Sequence, residues 1–80
     1  MNQRSGPRKH DQSFDDKALA DAEQDVENAH KLIHVQEAKI RSMRAAGVNT
    51  RDAVDLLRAY RHGARMATEH RDALARTRFK

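Results

Sequence analysis

Residues 19–43 read LADAEQDVENAHKLIHVQEAKIRSM. Within them Leu19, Ala22, Val26, Ala29, Ile33, Gln36, Ile40 and Met43 follow one another at intervals of alternately three and four residues. An α-helix alone puts that spacing on one stripe, and the seven-residue repeat marks a narrow coiled-coil seam rather than a broad globular face. A second stripe with the same alternation runs through Ala53, Leu57, Tyr60, Ala64, Ala67, Arg71 and Leu74. Between the two stripes lies Gly47-Val48-Asn49, a short turn. Two seams joined so closely must fold back on each other, which predicts an all-α, antiparallel helical hairpin of coiled-coil type.

The ends of the helices are readable too. Ser13, followed by Asp16, resembles a capping box, so the first helix is expected over 13–46, with Asp15 and Asp16 at the positive end of its dipole. Gly47 suits the left-handed position past the helix end, with Val48 placed to rest on Met43 as in a Schellman motif. The turn is 47–49, and Asn49 or Thr50 caps a second helix over 50–76, with residues 77–80 a frayed tail. Residues 1–12, MNQRSGPRKHDQ, lack apolar periodicity and contain Gly6-Pro7, so they read as a disordered basic arm. With the pivot near residue 48, facing positions pair Ile40 with Leu57, Gln36 with Tyr60, Ile33 with Ala64, Ala29 with Ala67 and Ala22 with Leu74. Gln36 and Tyr60 then form a polar layer that fixes register. Glu37 falls near Arg61 and Asp25 near His70, while Arg71, Arg76 and Arg78 meet the acidic start of the first helix.

Size and composition bound what such a hairpin can be. The chain has 80 residues, 38% hydrophobic and 35% charged, with two Phe, one Tyr, no Trp and no Cys. A single core in a chain this short seldom supplies more than about 3–5 kcal/mol, so disulfides, a metal or a partner chain usually add to it. Disulfides are ruled out by the absence of cysteine, which fits a reducing cytoplasm. No apolar run has the length of a membrane span and no signal-like segment opens the chain, so a cytoplasmic location is the expectation.

Self-association is the most economical source of extra stability. Leu32 and Leu56 fall on one flank beside Gly63, with Ala18 further along and the stem of Lys39 between. Gly63 weakens the helix it sits in and suggests a close backbone approach. That flank predicts packing against a second copy as a twofold, antiparallel four-helix bundle, with a marginal monomer as the alternative.

Candidate chemistry is sparse. His30 and His34 are four apart on a helix, the spacing of two ligands on one metal ion, and His62 lies across the hairpin from His34. No carboxylate follows His30 as in a metalloprotease HExxH motif, and solvated surface histidines are the expectation, without metal or other cofactor. Ser5, Ser13 and Ser42 belong to no recognisable triad, and Gly6, Gly47 and Gly63 are too isolated for a phosphate loop, so no enzyme is predicted.

Charge raises a different function. The net charge is +4, distributed as +2 over residues 1–13, −2 over 14–49 and +4 over 50–80. Arg51, Arg58 and Arg65 recur every seven residues along the outer face of the second helix, joined by Arg61 and extended by the Arg4–Lys9 arm. Such a row could track phosphates without reading sequence. Asp55 and Asp72 interrupt it, and one tyrosine makes no stacking platform.

The turn segment AAGVNTRDAVDLL (Ala45–Leu57) and the later RMATEHRDAL (Arg65–Leu74) give residues 17–75 a form that resembles small uncharacterised bacterial two-helix proteins. That resemblance implies a compact accessory protein and carries no activity onto any residue here. The expected function is therefore a non-catalytic protein–protein interaction or regulatory module, a small adaptor or inhibitor acting through exposed helix faces around Leu32, Leu56 and Arg58–Arg65. Sequence-nonspecific nucleic-acid binding through the arginine row and the basic arm is the alternative.

Overall fold

A computed structural model describes the backbone of residues 5–78 and the side chains of residues 16–77. Two helices, α1 (Ser5–Ala45) and α2 (Arg51–Arg78), fold against each other as an antiparallel hairpin, with no strand among the described residues. The result is a rod of 68 × 18 × 15 Å.

The reversal follows from one glycine and one asparagine. Gly47 has φ of +73°, a conformation that costs a residue without Cβ nothing. The Val48 N–H donates to the Met43 carbonyl at 2.9 Å and the Gly47 N–H to the Arg44 carbonyl at 3.0 Å, the bond pair of a Schellman motif. Val48 itself stays half exposed. The Asn49 side-chain oxygen then accepts the Arg51 N–H at 2.8 Å, which caps α2, and Asp52 occupies its first turn.

At the other end the boundaries differ from those expected at Ser13 and Arg76. α1 begins at Ser5, and α2 continues to Arg78. Pro7 does not prevent the earlier start, because it falls in the first turn, where the N–H groups have no acceptor within the helix and the fixed φ is already helical. Ser13 is thus inside α1 rather than at its start, and Asp15 and Asp16 lie beyond its first turn, which contains no acidic residue. Residues 5–12 of the expected arm belong to α1. Met1–Arg4, Phe79 and Lys80 lie outside the described residues. At 1.5 Å per residue α1 is about 62 Å long and α2 about 42 Å. The N-terminal part of α1 therefore runs on past the end of α2.

Every seam position named from the spacing is buried or half-buried. Ala22, Val26, Gln36 and Ile40 are buried on α1, as are Ala53, Leu57 and Ala64 on α2, with Leu19, Ala29, Ile33, Met43, Tyr60, Ala67, Arg71 and Leu74 half-buried. The register, however, departs from the expected one at Gln36. Ile40, Ala53 and Leu57 form one cluster, against which Ile33, Met43 and Val54 pack. Gln36 donates from Nε2 to the Ala53 carbonyl at 2.9 Å. Setting Gln36 opposite Tyr60 would leave Ala53 about two turns away, beyond the reach of a glutamine. The helices are therefore offset by about half a turn from that pairing, so that Ile40 packs with both Ala53 and Leu57, as a knob does in a hole. Gln36 fixes this register through a backbone carbonyl and not through a polar layer with Tyr60.

Cross-helix charge follows the expectation in one place. Arg61 donates from Nη2 to Glu37 at 3.0 Å. Asp25 and His70 make no ion pair among the described residues. Arg71 turns to its neighbour Asp72 at 2.9 Å instead of crossing to α1.

Candidate functional site

The hairpin has two flanks, and they differ in chemistry. In an antiparallel pair, the residues that immediately precede the seam positions on both helices come to one side. On α1 these are Ala18, Asp25, Leu32 and Lys39, and on α2 they are Leu56, Gly63 and His70. Three residues further along each helix, on the same face, come Val35 after Leu32, Ala59 after Leu56 and Met66 after Gly63. Leu32 is 48% exposed, Val35 68%, Leu56 43% and Met66 51%. These are all the large apolar side chains that the two helices leave exposed among the described residues, and they share this one flank.

Leu32, Leu56, Lys39 and Gly63 therefore stand open on the predicted side, while Ala18 is half-buried. The row adjoining the seam does not single out Val35 or Met66. The signal that would have found them is the step of three residues from Leu32 and from Gly63. Gly63 also corrects an expectation. A Cβ built there meets no atom within 4 Å, so no close approach of α1 requires a glycine at that position.

The opposite flank is polar. It carries His30, Glu37 and Arg44 from α1 and Val54, Arg61 and Thr68 from α2. Glu37 holds Arg61 through one carboxylate oxygen, and His34 Nδ1 lies 3.7 Å from the other. The Thr68 hydroxyl turns back to the Ala64 carbonyl at 2.8 Å. Surface depressions on this side are lined by His30, Arg65 and Glu69, and by Glu37, Arg41 and Arg44.

The arginine row lies on the outer face of α2. Arg58 faces Asp55 at 3.4 Å and Arg61 faces Glu37 at 3.0 Å, leaving Arg51 and Arg65 without an ion pair among the described residues. Two of the four cations are thus already matched by carboxylates. His30, His34 and His62 are all exposed, and among the described residues no group of three or more His, Asp or Glu could hold a metal ion. No described side-chain nitrogen or oxygen is buried without a partner.

No helix among the described residues is long and apolar enough to cross a membrane. Comparison with protein-family models, with curated proteins and with solved structures finds no match to this chain.

Proposed function

We propose that the protein is a non-catalytic protein-interaction module, of the kind that serves as a small adaptor or inhibitor, and that it docks polypeptide on the flank of Leu32, Val35, Leu56 and Met66. The observation that carries this is the one-sidedness of its exposed apolar surface. A lone exposed leucine on a small protein needs no explanation, but a row of large apolar side chains on one side of a thin rod marks a surface that is covered in use. The polar opposite flank, with Glu37 already engaged by Arg61, offers no comparable area. Partial neutralisation of the arginine row by Asp55 and Glu37 leaves nucleic-acid binding without an observation of its own.

Site-specific photo-crosslinking in the native cell tests the reading, with the reactive side chain at Val35 in one variant and at Arg65 in another. The expected product is a nuclease-resistant polypeptide adduct from position 35. Nucleic-acid adducts from position 65, with no polypeptide trapped at position 35, would overturn it.

A further inference from the structure

We infer that the polypeptide seated on this flank is a second copy of the chain, turned end for end about a twofold axis that crosses α1 between Leu32 and Val35 and α2 between Ala59 and Gly63. This rests on the flank being a docking surface, as proposed above, and names its occupant. The Gln36–Ala53 and Glu37–Arg61 bonds bracket the register, and midway between them Leu32 falls within about half a turn of Gly63 and Val35 within about half a turn of Ala59. A single transverse axis can therefore pass through both midpoints, which a closed twofold assembly requires.

Turned about that axis, the flank is complementary to itself. Leu32 meets the partner's Val35, and Leu56 meets the partner's Met66, so all four exposed apolar side chains are covered. Ala59 meets the partner's Gly63, the smallest pair on the flank, where α2 and its symmetry mate come closest. This gives Gly63 the role that the isolated hairpin does not, since within one chain nothing lies within 4 Å of a Cβ placed there.

Charge supplies an independent indication. Asp25, Lys39, Asp52 and His70 lie on or beside the flank, all exposed, and none has an ion pair among the described residues. The transverse axis carries Asp52 level with the partner's His70 and brings Asp25 within about one turn of the partner's Lys39, inside the reach of a lysine side chain, and symmetry repeats both pairs. An axis parallel to the helices would instead lay Lys39 over the partner's Leu56, a charge over an apolar side chain. An Asp–Lys charge pair and a carboxylate–imidazole contact at the ends of an apolar strip fix orientation as well as partner.

Sedimentation equilibrium of the purified full-length chain tests the inference, using wild type, Asp25→Lys, Lys39→Asp, the double charge swap and Gly63→Gln. Circular dichroism confirms in parallel that each variant is helical. The wild type should sediment at twice the 9.2 kDa chain mass. Each single charge reversal should weaken association about three- to tenfold, and the double swap should restore it. Gly63→Gln should weaken association by about tenfold or more while leaving the hairpin helical. A wild type that stays at 9.2 kDa up to high micromolar concentration, a double swap no better than the singles, or a dimer indifferent to Gly63→Gln would each overturn it. A monomer that still cross-links a different polypeptide at Val35 removes the second copy alone. A monomer with no polypeptide adduct at Val35 removes the docking surface as well.

Discussion

The φ of +73° at Gly47 and the open surroundings of Gly63 give the same residue type opposite consequences for stability. At position 47 an added Cβ meets no neighbour, yet it forces a side chain into left-handed backbone, which costs about 1–2 kcal/mol. At position 63 the backbone is helical and within one chain the space is free, so in the unassociated hairpin a methyl group raises helix propensity by up to about 1 kcal/mol. Urea unfolding at low micromolar concentration should therefore show Gly47→Ala less stable than wild type and Gly63→Ala more stable. Shifts of the same sign would contradict this account of the turn. Gly47 was legible in the sequence because a helix end followed by Val48 and Asn49 has one common solution. Gln36 was legible as a seam residue, but its acceptor was not. The spacing of a stripe fixes which face a residue shares and leaves open the axial offset between helices, and that offset decides whether Ala53 or Tyr60 lies within reach.

Between elements, the same limit explains what could and could not be read from the chain. Period alone found both seams, since burial follows the three-and-four alternation from Leu19 to Leu74. It did not find the α1 start, because Pro7 looks like a helix breaker unless it falls in the first turn. It found only half of the apolar flank, because Val35 and Met66 look like scattered surface residues until the hairpin brings Leu32 and Leu56 to the same side. Charge across the opposite flank contributes modestly. Glu37 and Arg61 are partly solvated, with 33% and 52% of their side chains exposed, so the pair selects register more than it stabilises. A double-mutant cycle with Glu37→Gln and Arg61→Gln should give a coupling of about 0.2–1 kcal/mol that shrinks as salt is raised toward about 1 M. A coupling above about 3 kcal/mol, or one insensitive to salt, would show that this bond does far more than its exposure allows.

Over the whole rod, apolar mass is distributed unevenly along the seam. Ile33, Ile40, Met43, Val54 and Leu57 gather with Ala53 at the turn end, whereas the middle of the hairpin is lined mainly by Ala22, Val26, Ala29, Ala64 and Ala67. Burial of larger side chains near the turn also involves the shortest loop closure, so folding free energy should be concentrated there and decline toward the open end. Native-state hydrogen exchange should accordingly find the slowest amides around Ile40 and Leu57, with rates rising toward Leu19 and Leu74. Truncation sharpens the comparison. Leu57→Ala removes a buried side chain at a cost of about 2–5 kcal/mol, comparable to the whole stability of about 3–5 kcal/mol that so small a core supplies. That variant should be largely unfolded by circular dichroism at 25 °C and low micromolar concentration. Leu74 is only half-buried, and Leu74→Ala should cost about 1–2 kcal/mol and leave the turn end protected. Equal loss of helicity in the two variants, or exchange slowest at the open end, would mean that the hairpin is held by the length of its seam and not by the cluster beside its turn.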